Sequence, residues 1–155
     1  MMSGRQDPNA RDVVVDAAKL WAGGAATACV AALVAVVGVL IFGGVLDVRL
    51  VRPALLLNIT DSFTLDYALT AFVLAMIATA LAHALLLSTP RPRMFFTWII
   101  VLATVAGTAA PFVIGSETSS QVATACINVA LGICVLSLLR SVMARTVRPG
   151  AAHAY

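Results

Sequence analysis

The chain has 155 residues, enough for one domain, and 61% of them are hydrophobic against 11% charged. A soluble domain carries about 25% charged residues, so this composition cannot cover its own surface with water-compatible groups, and the implied solvent is lipid. The formal net charge of +3 does not point to nucleic acid, because no basic face interleaved with aromatics accompanies it.

Residues 1–19 form a charged tail, with Arg5, Asp7, Arg11, Asp12, Asp16 and Lys19 ahead of the first apolar run. That run, Leu20 to Leu46, is predicted to be the first membrane-spanning helix. At about 27 residues it would be ~40 Å long if wholly helical, so it tilts or extends into the headgroup layer. Its charged start resembles a signal peptide, but the run is too long and has no convincing cleavage site, so it is read as retained.

The loop from Asp47 to Asp66 is the most informative stretch outside the helices. It holds Asp47, Arg49, Arg52 and Pro53, the apolar Ala54 to Leu57, then Asn58 and Asp61. Two arginines there can receive a lipid headgroup, an anionic ligand or a partner. The plainer reading pairs Asp47 with Arg49 or Arg52 and lays the leucines in the interface. Asn58-Ile59-Thr60 matches a glycosylation sequon, a triplet that is frequent by chance.

The second apolar segment runs from Tyr67 to Leu87 and the third from Phe95 to Ile114. Thr89-Pro90-Arg91-Pro92-Arg93 stops one and starts the other, because proline cannot continue a helix and restricts the residue before it. So short a connection makes the two antiparallel neighbours. His83 is the only ionisable side chain embedded in a helix away from its ends, about one turn from the basic end. Intramembrane polar groups are functional candidates, but His83 is close enough to the interface to reach water or a carbonyl of the fourth helix. Haem ligation needs a second axial ligand, and the other histidine, His153, lies in the C-terminal tail.

Pro111 is expected to bend the third helix, and Gly115 and Ser116 to break it. Thr118 and Gln121 fit a capping box for a fourth segment, Gln121 to Leu139, followed by a C-terminal tail over 140–155. Asn128 sits mid-depth there and suits a bond to another helix. Small residues at spacings of four, Gly24, Ala28 and Ala32 on the first helix and Ala103, Gly107 and Pro111 on the third, mark faces where helices approach closely. The three cysteines, Cys29, Cys126 and Cys134, lie inside apolar runs at no metal-like spacing and read as small packing residues.

The fold class is therefore all-α, an integral membrane bundle of four transmembrane helices. Basic residues number three in the N-terminal tail, two in the Arg91/Arg93 hairpin and three in the C-terminal tail. The other side has Arg49 and Arg52 alone, so the positive-inside bias predicts N-in/C-in topology in the cell membrane.

Absent groups narrow the function further. No Asp or Glu lies within a spanning segment, so the buried carboxylate of a proton-coupled exporter is missing. No Ser/His/Asp or Cys/His set can converge, no glycine-rich phosphate loop is present, and no cluster suits a metal. Neither catalysis nor a cofactor is expected. The candidate functional polar residues are Arg49, Arg52, His83 and Asn128.

At Asp47-Val48-Arg49, at the Thr89 to Arg93 hairpin with Trp98 soon after, and at Gly107 to Pro111, the chain resembles an uncharacterised family of small four-helix membrane proteins from actinobacteria. The likeness covers roughly residues 20 to 142. It implies four spans and a cell-membrane location, and it supplies no activity or ligand residues, the family being a domain of unknown function.

The expected function is non-enzymatic, through interaction with another membrane or envelope protein or with a second copy. The alternative is a small transporter or permeability factor for an apolar or weakly polar solute, lined by Asn128, His83, Thr79 and Thr104. A third reading, an intramembrane enzyme acting on lipid, requires Arg49 and Arg52 to hold a headgroup beside Asp61 or Asp66.

Overall fold

A computed structural model describes residues 13–51, 59–113 and 117–149. Arg52, Asn58, Gly115, Ser116 and His153 lie outside the described residues. Strand β1 (Val13–Val15) leads into helix α1 (Ala17–Val39), which continues as a π-helical segment over Leu40–Val45. Helices α2 (Phe63–Ser88), α3 (Pro92–Val113) and α4 (Thr118–Thr146) follow, and strand β2 (Val147–Pro149) closes the order. All four helical stretches are long and apolar enough to cross a membrane. The architecture is all-helical apart from one short ribbon.

Local chemistry sets the helix ends. Asp16 is the N-cap of α1: its carboxylate accepts from the Lys19 N–H at 3.2 Å and pairs with the Lys19 ammonium at 2.8 Å. Helix α2 stops where the Thr89 N–H bonds Leu85 O, immediately before Pro90. Pro92 opens α3 at the position where its missing N–H costs nothing. The helices overrun the apolar segments at their charged ends, because a charge does not break a helix. Thus α4 carries Arg140 and Arg145 to Thr146 and begins at Thr118, with Gln121 N–H bonded to Glu117 O. The expected capping box is out of register: Thr118 is already inside the helix.

The first span ends differently from the expectation of a plain helix. At Leu40 it widens into π turns, with Leu46 N–H bonded to Ile41 O and Val48 N–H to Phe42 O. Asp47 adopts positive φ (51°) there, the left-handed closing residue of a helix C-terminus that Asp tolerates better than most residues. A side chain at Gly44 would meet nothing within 4 Å, so space does not demand a glycine. Gly43-Gly44 instead weakens the ordinary helical hydrogen-bond pattern by its low propensity.

Strands β1 and β2 pair antiparallel, Val14 opposite Arg148, and the Asp16 N–H continues the ladder to Thr146 O. The ribbon thus ties the start of the first span to the end of the last, at the same end of the bundle.

Within the bundle α1 lies between α2 and α4, and α3 packs along the other side of α4. Although the hairpin joins α2 to α3, their contact is slighter than either the α1–α2 or the α3–α4 seam. In lipid, apolar surface gives no drive to associate, so close approach of small residues governs which helices meet. A Cβ on Gly24 of α1 would lie 2.2 Å from Thr79 Cγ2 of α2, and one on Gly132 of α4 would lie 2.2 Å from Thr104 Oγ1 of α3. The buried stripe of α1 is Leu20, Gly24, Ala28, Ala31, Ala35 and Val39, with Ala32 only half-buried. On α3, Ala103 is exposed and the inward face runs through Phe96, Ile100 and Pro111. Ala103 is therefore not part of the expected packing face: the turn of the helix that approaches α4 is fixed by Gly132 fitting Thr104.

Three buried clusters run along the axis. Leu20, Ala78, Ala82, Phe96, Ile100, Leu139 and Met143 join all four helices near the ribbon. Ala28, Ala31 and Ala75 fill the middle. Ala35, Val39, Tyr67, Ala71 and Ile127 close the far end.

Candidate functional site

The four residues singled out from the sequence do not converge. Asn128, His83 and Arg49 occupy three separate places, and Arg52 lies outside the described residues.

Asn128 forms a polar bridge through the bundle. Its Nδ2 donates to Gly107 O of α3 at 2.7 Å, and its Oδ1 accepts from the Tyr67 hydroxyl of α2 at 3.0 Å. The reason lies four residues along α3. Pro111 has no N–H, so the carbonyl of Gly107 loses its helical partner. Where no water is at hand, a carbonyl freed by proline is satisfied by a neighbouring helix, and the Asn128 amide fills that role. A single side chain thereby links α2, α3 and α4. Sequence reasoning noticed Pro111, Gly107 and Asn128 separately; the i, i−4 relation of Gly107 to Pro111 was the signal available to connect them.

His83 is joined to α1, not to α4. Its Nδ1 accepts from the indole N–H of Trp21 at 3.0 Å, and the rings meet edge-on with centroids 6.2 Å apart. Indole nitrogen can only donate, so Nδ1 is the acceptor of this pair. Trp21 was missed in the sequence because nothing local marks it as a partner for a residue 62 positions away.

Arg49 lines an open cleft of about 380 Å³ at the far end, with Val39, Gly43, Asp47, Val48, Leu50 and Phe63. Among the described residues Asp47 and Arg49 make no ion pair; the one present is Asp16–Lys19. Asp66, by contrast, is buried and occupied. Its Oδ1 accepts from the N–H groups of Ile59 and Thr60, at 3.1 and 2.9 Å, and from the Thr60 hydroxyl at 3.0 Å. It tethers the end of the loop to the first turn of α2. Val51 N–H donates to Thr124 Oγ1 of α4 at 3.1 Å, anchoring the loop at its other side.

The membrane threonines are likewise committed. Thr79 donates to Ala75 O and Thr104 to Ile100 O, while their side chains fill the space that a Cβ would need at Gly24 and Gly132. Among the described residues no buried side-chain polar atom lacks a partner, and no three His, Cys, Asp or Glu residues gather as metal ligands do.

Four long apolar helices, a surface rich in exposed leucine, valine, isoleucine and aromatic side chains, and polar groups that bond helix to helix are consistent with a multi-pass membrane protein. The chain belongs to DUF6069, a family of unknown function whose model matches residues 15–145. No curated protein and no solved structure matches it.

Proposed function

We propose that this protein is a non-enzymatic component of the cell membrane, oriented N-in/C-in, that acts by lateral contact with another membrane or envelope protein or with a second copy. The observation that carries this reading is the commitment of its polar side chains. Asn128, Tyr67, His83 and Trp21 bond helix to helix, Asp66 holds the loop to α2, and Thr79 and Thr104 donate to carbonyls one turn back in their own helices. What the molecule offers outward is apolar surface, most extensively on α3, where Leu102, Val105 and Val113 are all more than half exposed. The same commitment argues against Thr79 and Thr104 as the lining of a solute path. It argues equally against Asp66 as the acid of a lipid-cleaving site, since its carboxylate already serves the loop backbone.

Site-specific photo-crosslinking tests the proposal. A photoreactive residue at Leu102 or Val105 is expected to yield a discrete protein adduct in native membranes, while one at Leu33 on α1, also exposed, yields lipid adducts alone. Lipid adducts from every position would overturn it. Cysteine accessibility at introduced sites in the α2–α3 hairpin and the Asp47 loop tests the orientation.

A further inference from the structure

At the ribbon end of the bundle, between the start of α3 and the end of α4, lies a second cleft of about 380 Å³ lined by Arg93, Met94, Thr97, Trp98 and Arg140. We propose that it is a binding groove for an anionic phospholipid, whose phosphate sits between the two guanidinium groups and whose acyl chains run down the α3–α4 surface.

The two arginines face one cleft, and no carboxylate lines it among the described residues. Among the described residues the only acid at this end is Asp16, and Lys19 takes it at 2.8 Å. Basic residues crowd the same end: Lys19, Arg91, Arg93, Arg140 and Arg145, with Arg148 in the ribbon. The far end reverses the balance, with Asp47, Asp61, Asp66 and Glu117 against Arg49 among the described residues. Like charges lining one groove repel, and a bound anion removes that cost.

Geometry favours a lipid over a free ion. Arg140 lies about 9 Å along the axis from the end of α4, at ~1.5 Å per residue, which places it at headgroup depth and not on the water-facing tip. Trp98 is 59% exposed beside it, as tryptophans at the membrane–water interface are. Met94 and Trp98 give the groove an apolar wall that suits the glycerol and upper acyl chain and has no use for a bare phosphate. Arg93 is oriented by one arm, its Nη2 donating to Met143 O at 3.5 Å, which leaves the rest of its fork free for phosphate oxygens. Pro92 and Arg93 also open α3, whose N-terminal dipole attracts an anion at the same point.

The chain has two tryptophans, Trp21 and Trp98, so Trp21→Phe leaves a reporter in the groove. In vesicles of phosphatidylcholine containing a minor fraction of brominated phosphatidylglycerol, Trp98 fluorescence is expected to be quenched well beyond the level given by brominated phosphatidylcholine. At roughly five-fold per basic residue, the preference is about 25-fold, falling to about five-fold in Arg93→Gln or Arg140→Gln and vanishing in the double variant. Arg145→Gln leaves it unchanged. Equal quenching by the two lipids overturns the proposal without any arginine variant being needed. Relief of quenching by millimolar inorganic phosphate overturns it in favour of a free-anion site, and an equal loss in Arg145→Gln reduces it to a general basic surface. Should Trp21→Phe disturb the fold, the difference between the natural chain and Trp98→Phe reads the same quantity. Lateral contact through Leu102 and Val105 is read by a different assay, so either result stands alone.

Discussion

Replacing Asn128 by leucine removes two bonds at once and strands the groups at their other ends. Interhelical hydrogen bonds in membranes contribute about 0.6 kcal/mol on average and up to about 1.7. Leaving the Gly107 carbonyl and the Tyr67 hydroxyl without partners adds about 1–3 kcal/mol for each that stays buried. Asn128→Leu is therefore expected to cost roughly 2–4 kcal/mol, read from reversible unfolding in mixed micelles by far-ultraviolet circular dichroism. The decisive measurement is a double-mutant cycle with Pro111→Ala. Alanine at 111 restores an N–H four residues beyond Gly107, so its carbonyl regains a partner within α3 and no longer depends on Asn128. In that background Asn128→Leu loses only the Tyr67 bond, and its cost falls by about 1 kcal/mol or more. Tyr67 is untouched by the proline change, so Tyr67→Phe costs the same in both backgrounds. If the two costs of Asn128→Leu agree within about 0.3 kcal/mol, the usual tolerance for independent sites, the proline–asparagine compensation is wrong.

Gly24→Ala, whose Cβ would collide with Thr79, destabilises by about 1–3 kcal/mol, whereas Gly44→Ala, with nothing within 4 Å, is neutral or stabilising by up to ~1 kcal/mol; thermal melts of the two variants in one detergent decide between them. His83→Leu loses the Trp21 bond and about 1 kcal/mol, while His83→Asn, which sets an amide oxygen near the place of Nδ1, keeps most of it; equal losses would show that the ring acts by shape alone. Cysteines at Val14 and Arg148, directly opposite in the ribbon, are expected to oxidise to a disulfide in a background lacking Cys29, Cys126 and Cys134, because opposed residues hold their Cα atoms about 4.5–5.5 Å apart. A pair at Val13 and Val147 should not, and equal yields would dissolve the ribbon register.

Hydropathy alone was enough to count the helices, because a lipid core demands long runs whose peptide groups bond internally. The turn at Pro90 and Pro92 was legible from local chemistry, because proline cannot continue a helix. Boundaries drifted at charged ends, at Thr118 and beyond Leu139, since the apolar run measures the lipid depth and the helix obeys only its backbone. The rotation of each helix was hidden. A soluble helix shows its inward face by alternation with polar residues, but here both faces are apolar, so Ala103 looked as inward as Gly107. Only the tertiary structure decided that Gly24 meets Thr79 and Gly132 meets Thr104, that Trp21 reaches His83, and that Asn128 finds the carbonyl Pro111 leaves bare. Those pairings depend on how helices far apart in sequence are turned and shifted against one another, a relation that no single segment contains.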